Sequence, residues 1–261
     1  MWRIVLGLVI GFQALTIRAE RHIFTSTDGR ALEAEIVGYD AKAGMVEIER
    51  SSDEKRVKVK PTIFVKEDQQ YIKDWFAANA FLSDTILKIE CKDREENAWK
   101  EKETEDLVYT GGDTVKDFVN NVVSYEEIVF DFTFSNKGKV PLTGLTLAYC
   151  IYYEQSAMTD GEKPEAVLKT MYGTVDIPEI TEKKPIKLST VPVMIYEDNI
   201  NPIPTSEGDQ RRPGKGEIIG IRARVYRKGG NLKTRRDIAE PRLVSDDEKY
   251  PWTEESSPNE R

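Results

Sequence analysis

The sequence predicts a mainly-β protein, in which a small barrel closed by one helix is followed by a β-sandwich. Two patterns predict this fold class. In residues 21–60, four short segments that mix apolar and charged residues are separated by turn signals, and residues 66–80 then show a helical repeat. From Asp84 onwards the segments are longer, and no further helical repeat follows. Alternation of this kind is typical of strands that bury one face.

The barrel strands are predicted at His22–Thr25, Ala31–Tyr39, Met45–Arg50 and Arg56–Lys60. Between the first two lies Asp28-Gly29, a pair that favours positive φ and joins antiparallel strands. In the second strand Leu32, Ala34 and Ile36 alternate with glutamates, so one face is apolar and the other charged.

A helix is predicted at Lys66–Ala80, where Tyr71, Ile72, Trp75 and Phe76 recur at three- and four-residue spacing. We expect this apolar stripe to close the open end of the barrel, because aromatic side chains bury most of their area wherever a core is available. The alternative is that the stripe binds a partner.

Residues 21–77 resemble the SLA-one homology domain, an SH3-like barrel first described in a eukaryotic endocytic adaptor. The resemblance is carried by Phe24, Asp28, Gly29, Leu32, Ala34, Glu35, Gly38, Val46, Val57, Val59, Phe64, Glu67, Asp68, Tyr71 and Ile72. It implies an SH3-like fold that binds short Asn-Pro-Phe-containing peptides, with adaptor, cytoskeletal-protein, identical-protein or ubiquitin binding. One departure is that Val65-Lys66 stands where the family usually has a Ser or Thr N-cap.

Residues 1–19 are predicted to be a secretory signal peptide. A basic start at Arg3 is followed by the apolar run Ile4–Leu15, which is short for a bilayer span, and Ala19 offers a small residue for cleavage. The alternative is an uncleaved anchor, because Ile17 is not the small residue preferred there. The expected location is therefore periplasmic or extracellular, with no membrane span after cleavage. The formal net charge of −8 disfavours nucleic acid as a partner.

An immunoglobulin-like or fibronectin-III-like sandwich is predicted for residues 84–239. Its strands are Thr85–Lys92, Glu126–Phe134, Leu145–Tyr153, Ala166–Val175, Ile186–Ile195, Ile218–Arg227 and Leu232–Ile238. The stretch FDFTFSNKGKVPLTGLTLAYCIYY resembles the strand–turn–strand unit of many bacterial immunoglobulin-like modules. Asp93–Tyr125 and Asn201–Gly216 are predicted as long connections, the second of them disordered. Residues 240–261 are predicted as a flexible tail that places Trp252 on a neighbouring surface.

Export would permit a disulfide between Cys91 and Cys150. Cys91 is in phase with Leu87 and Ile89, the expected buried face of its strand, whereas Cys150 is out of phase with Ile151. Both a disulfide and two unpaired thiols are therefore left open.

The sequence lacks the signatures of catalysis. His22, the one histidine, is expected to be a solvent-facing strand residue, and neither a phosphate-binding loop nor a nucleophile elbow is present. The carboxylates Glu95-Glu96, Glu126-Glu127 and Asp246-Asp247-Glu248 lie in polar stretches, where solvated surface charge is the expected state. We therefore expect a protein that is not an enzyme and that needs neither a metal nor another cofactor.

A basic cluster falls on the last hairpin, where Arg222 and Arg224 share the outer face of their strand. It either docks an acidic partner or an anionic polysaccharide, or it discourages aggregation through the sheet edge.

These observations favour a non-catalytic exported adaptor whose barrel rim, near Tyr39, Tyr71 and Trp75, binds a peptide or another protein. The alternative is a carbohydrate-binding accessory module, or an enzyme acting on envelope polysaccharide. An exposed row of Trp or Tyr across one sheet face would favour that alternative, but Tyr149 and Tyr153 fall in the phase expected to be buried. A purely structural spacer is the third hypothesis.

Overall fold

The computed structural model describes residues 21–40, 43–109, 111–182, 184–203, 208–227 and 234–253. These residues form two compact units that divide between Ser83 and Asp84. Both units are built mainly from antiparallel strands, so the mainly-β class is confirmed. No helix in the described part of the chain has the length and apolar content needed to cross a bilayer.

The first unit contains four strands followed by two helical segments. Their bounds are β1 (His22–Thr25), β2 (Ala31–Asp40), β3 (Met45–Arg50), β4 (Arg56–Val59), a 3-10 turn (Pro61–Ile63) and helix α1 (Lys66–Leu82). The strands form one antiparallel sheet in the order β1-β2-β3-β4. The predicted turn joins β1 to β2, with Gly29 at φ 86° and its N–H donating to the carbonyl of Ser26 (2.9 Å).

The apolar faces of β2 and β3 and the predicted stripe of α1 meet in one core. Its buried members are Phe24, Ala34, Ile36, Val46, Ile48, Phe64, Tyr71, Ile72 and Trp75. Helix α1 therefore packs on the sheet, as the three- and four-residue spacing predicted. Burial of each large apolar side chain in this core stabilises the folded state by roughly 1.5–3 kcal/mol relative to leaving it exposed.

Helix α1 begins without the usual side-chain cap, because its N-cap residue is Val65. Asp68 in the first turn instead links the helix to β1. Its Oδ2 accepts a hydrogen bond from the backbone N–H of Thr25 (2.6 Å), and its Oδ1 lies 2.7 Å from Nε2 of His22. A carboxylate at this end of a helix is also favoured by the helix dipole.

The second unit is built from ten strands within the described residues. They are β5 (Leu87–Val108), β6 (Thr114–Asn136), β7 (Leu145–Gln155), β8 (Thr159–Asp160), β9 (Val167–Ile177), β10 (Ile186–Ser189), β11 (Val193–Ile200), β12 (Arg211–Arg212), β13 (Gly216–Arg227) and β14 (Thr234–Glu240). In one sheet β6 pairs with β5, β10 and β11; a second sheet has the order β14-β13-β7-β9, and β8 pairs with β12. The predicted strand Ile186–Ile195 is therefore two strands, β10 and β11.

Strand β7 is buried on both faces, which alternation alone did not predict. Leu147, Tyr149 and Ile151 face the sheet of β6, since the Tyr149 hydroxyl accepts a hydrogen bond from the backbone N–H of Val191 (3.0 Å). The opposite face is also apolar at Cys150 and needs a cover of its own.

That cover is the C-terminal segment. Val244 and Tyr250 are buried against Cys150 and Tyr152. The predicted flexibility of the tail is wrong for residues 240–253, because Glu240 ends β14 and the outer face of β7 is too apolar to be left in water. The predicted placement of Trp252 on a neighbouring surface is confirmed, since Trp252 packs against this cluster. Residues 254–261 of that predicted tail lie outside the described residues.

The prediction of a connection at Asp93–Tyr125 is also wrong. Strands β5 and β6 pair from Leu87 opposite Asn136 as far as Val108 opposite Thr114. Their many charged residues conceal the strand pattern, since both faces of this ribbon meet solvent near its tip. In the second predicted connection, β12 pairs with β8, and residues 204–207 lie outside the described part.

Replacement of Tyr250 tests whether the C-terminal segment is part of the folded unit. The side chain is 1% exposed, so Tyr250→Ala should lower the free energy of unfolding by about 3 kcal/mol. Urea unfolding followed by circular dichroism measures this change. The control Glu248→Ala alters an exposed side chain nearby and should cost less than about 0.5 kcal/mol. Equal stability of the two variants would show that the segment does not pack.

Candidate functional site

An open apolar pocket of about 270 Å³ lies in the first unit, between the sheet and the 3-10 turn. Its apolar lining consists of Phe24, Ala31, Leu32, Ile48, Val57, Val59, Ile63 and Phe64, and its polar lining of Ser26 and Arg30. Concave apolar sites with a few polar groups at one side are typical of ligand-binding sites. A pocket of this size holds one large apolar side chain.

The Asp-Gly turn forms the polar side of this pocket. Asp28 is hydrogen-bonded by Arg30 and Ser26, and these bonds lower the pKa of the Asp28 carboxyl to about 2. Nε of Arg30 donates to Oδ2 of Asp28 (2.9 Å), and the backbone N–H of Arg30 donates to the Ser26 hydroxyl oxygen (3.1 Å). The Asp28 carboxylate is therefore ionised at neutral pH and hydrogen-bonded within the turn.

Strand β4 forms another side of the pocket and is an edge of the sheet. Val57 and Val59 line the pocket, while Lys58 and Lys60 are exposed. Within the described ranges neither lysine has a carboxylate within ion-pair distance, although Glu47 lies opposite Lys58 on β3. An extended ligand along this edge would meet apolar and basic side chains in alternation.

The predicted rim residues are not at this pocket. Tyr71 and Trp75 are 9% and 8% exposed and belong to the core between α1 and the sheet. Tyr39 is half-buried, with its ring centroid 4.6 Å from that of Phe76 on the same helix. The structure thus places Tyr71 and Trp75 where the helix closes the sheet, so the prediction that they form a binding rim is corrected.

The prediction that His22 faces solvent is likewise corrected. Its ring is half-buried and stacks on the ring of Tyr71, with centroids 3.9 Å apart and an interplanar angle of 8°. Together with its contact to Asp68, this makes His22 part of the junction between β1 and α1. Across the described residues, no group of three or more His, Cys, Asp or Glu is arranged to hold a metal ion.

Arg222 and Arg224 do share the outer face of β13, as the alternation predicted, but they hold the chain's own C-terminal segment there. Nη1 of Arg222 donates to the carbonyl of Tyr250 (2.7 Å), and Nη2 lies 2.5 Å from Oδ1 of Asp247. The guanidinium of Arg224 lies 3.9 Å from the ring centroid of Trp252. This packing already occupies both side chains.

Both cysteines are free thiols, so the predicted possibility of a disulfide is contradicted. Cys91 lies on β5 opposite Phe132 in one sheet, and Cys150 lies in the other sheet beneath the C-terminal segment. The Cys150 thiol donates to the carbonyl of Thr253 (2.9 Å). Burial raises the pKa of Cys91 to about 12 and also raises the pKa of Cys150.

A second aromatic surface was missed from the sequence. Trp99, Tyr125 and Tyr196 lie side by side across β5, β6 and β11 and form what we call the aromatic strip. The ring centroids are 5.1 Å apart between Trp99 and Tyr125 and 6.1 Å apart between Tyr125 and Tyr196. All three rings are half-buried. Because Asp93–Tyr125 was predicted as a connection, the register that aligns these rings could not be foreseen.

Comparison with known proteins adds little. No family model matches the chain, and no curated protein matches it. Among solved structures, the X-ray structure of Northeast Structural Genomics Consortium target SoR45 is 11% identical, with a match that covers 57% of this chain and 92% of that one at a TM-score of 0.21. A similarity this weak carries no argument about fold or function.

Thiol titration tests the state of the cysteines. Protein unfolded without reductant should give two reactive thiols per chain with a disulfide-exchange reagent. The thiols of the native protein at pH 8 should react at least about tenfold more slowly than those of the unfolded protein, because Cys150 is buried and a thiol with a raised pKa is rarely ionised. Cys150→Ala should leave one thiol in the unfolded protein. Fewer than two thiols in the unfolded parent would show a disulfide.

Proposed function

We propose that this chain is a non-catalytic, exported binding protein whose first unit binds an extended peptide of a partner protein in the pocket beside β4. The observation that carries the proposal is the pocket itself, which is open, apolar and bordered by an edge strand. Strand edges bind extended peptides through main-chain hydrogen bonds, and adjacent pockets select the side chains.

The lining of the pocket indicates what such a peptide would offer. Val57, Val59 and Phe64 suit a large apolar side chain, which would displace water from the pocket. The exposed Lys58 and Lys60 on the outer side of β4 suit acidic residues beside that anchor. Because these charges are exposed, their main effect should be on the association rate and on its salt dependence.

The resemblance to the SLA-one homology domain supports the same proposal. Five of the residues that carry it line the pocket, namely Phe24, Leu32, Val57, Val59 and Phe64. The resemblance implies a protein-binding adaptor, and the pocket offers a place where that binding would occur. Export rests on the predicted signal peptide at residues 1–19, which lie outside the described residues.

The test is selection of peptides from a random 12-residue phage-displayed library on the immobilised chain, followed by affinity measurement with synthetic peptides. We expect selected peptides to share a large apolar residue. Ile63→Asp should weaken their binding about tenfold, because it puts a carboxylate at the pocket lip. Ile63 is 43% exposed, so the substitution should leave the fold intact.

The matched control is Ile23→Asp, which introduces the same charge at an isoleucine that is 63% exposed and does not line the pocket. It should change affinity less than about twofold. The proposal fails if no peptide is selected, or if both aspartate variants bind like the parent protein.

A further inference from the structure

The aromatic strip of the second unit is partly accessible at the surface of its sheet, since each of its three rings is half-buried. Pairing places Trp99 opposite Tyr125 and Tyr125 opposite Tyr196, so the three rings project from one face of three neighbouring strands. The planes of Trp99 and Tyr125 differ by 11°, which is an offset-stacked arrangement. Strand β5 pairs with β6 alone among the described strands, so the outer side of Trp99 lies at a sheet edge.

Carboxylates surround these rings on the same face. Residues 99, 101 and 103 alternate onto it along β5, which puts Glu101 and Glu103 beside Trp99, and Glu127 follows Tyr125 on β6. Lys100 and Lys102 project from the opposite face of β5. Over the described stretches 97–103, 121–127 and 194–198, this face carries no Lys or Arg.

Hydrogen bonds hold the two glutamates of β5 in position without neutralising them. Nε1 of Trp99 donates to Oε1 of Glu101 (3.2 Å), and Nδ2 of Asn121 donates to Oε2 of Glu103 (3.1 Å). In the described part of the chain neither glutamate has a cationic partner. Burial raises the pKa of the Tyr125 phenol, and the negative charges of Glu101, Glu103 and Asp198 raise it further, so these carboxylates act on the end of the Tyr125 side chain.

The carboxylates beside the aromatic rings determine which charge of ligand the strip attracts. Aromatic rings attract cations through the negative face of the ring quadrupole, and nearby carboxylates add to that attraction. A neutral sugar could stack on the rings, but the nearby carboxylates would add no attraction of opposite charges. An anionic polysaccharide would be repelled by them. Among protein cations, the planar guanidinium both stacks on aromatic rings and forks onto carboxylates, whereas an ammonium is a strongly hydrated point charge.

We propose that the aromatic strip binds the guanidinium group of an arginine in an exposed segment of a partner protein, with the ring of Trp99 as the stacking surface and Glu101 and Glu103 as its anionic partners. This binding surface belongs to the second unit and does not depend on the peptide pocket of the first. Charge complementarity with the glutamates defines the partner segment as basic.

The test is a nuclear magnetic resonance titration of the full chain with acetyl-Gly-Arg-Gly-amide, with the same tripeptide carrying citrulline as the matched neutral probe. The arginine probe should shift the indole signal of Trp99 and the amide signals of residues 97–103. The citrulline probe should bind about fivefold more weakly, because it keeps the shape of arginine and loses its charge.

Variants separate the contributions of ring and charge. Trp99→Leu should weaken arginine binding about fivefold, and Trp99→Tyr should restore most of it, because tyrosine keeps an aromatic face. The double variant Glu101→Gln with Glu103→Gln should weaken binding about threefold and reduce its salt dependence. Lys100→Gln, on the opposite face of the same strand, should leave affinity within about twofold of the parent value. Thermal unfolding of each variant confirms that it is folded.

The proposal fails if the citrulline and arginine probes bind equally, or if the shifted signals lie away from the strip. It also fails if cellotetraose or chitotetraose shifts the same signals while the arginine probe does not, since the strip would then be a saccharide-binding surface.

Discussion

The burial of both faces of β7 is the constraint on which the second unit depends. One face packs toward the sheet of β6, and the other presents Cys150 and Tyr152, which are also apolar enough to need a cover. The C-terminal segment supplies that cover, and the Tyr152 hydroxyl lies 2.9 Å from the carbonyl of Pro251 within it. Burial beneath the C-terminal segment raises the pKa of Tyr152 to about 12, because the charged phenolate loses its contact with water. Arg222 then donates a hydrogen bond to the Tyr250 carbonyl of this segment, and Arg224 packs over the ring of Trp252.

The two units place their aromatic residues differently, and this difference decides which surfaces are available for binding. In the first unit Tyr71 and Trp75 are buried between α1 and the sheet, so the accessible apolar surface is the pocket beside β4. In the second unit Trp252 is held by Arg224, whereas the rings of Trp99 and Tyr125 remain partly accessible beside Glu101 and Glu103, which have no cationic partner among the described residues. The number of aromatic residues therefore does not identify a binding surface. The contacts of each ring decide whether it is available to a ligand.

The same reasoning separates the two proposed ligands by charge. The exposed lysines of β4 lie beside an apolar pocket and suit an acidic peptide with an apolar anchor. The glutamates of β5 lie beside stacked rings and suit a basic segment. A chain with these two surfaces could join two partners of opposite charge, which is consistent with the proposed role as a binding protein.

The sequence by itself determined the features that depend on neighbouring residues. The Asp28-Gly29 turn, the apolar face of β2 and the stripe of α1 follow from local conformation and from periods of two and 3.6 residues. Tertiary structure alone decided whether a second strand face is covered, because Tyr152 and Tyr250 meet across 98 positions of the chain. It also decided the pairing of β5 with β6 and so the aromatic strip, since a charged ribbon with two solvated faces has no apolar alternation to reveal it.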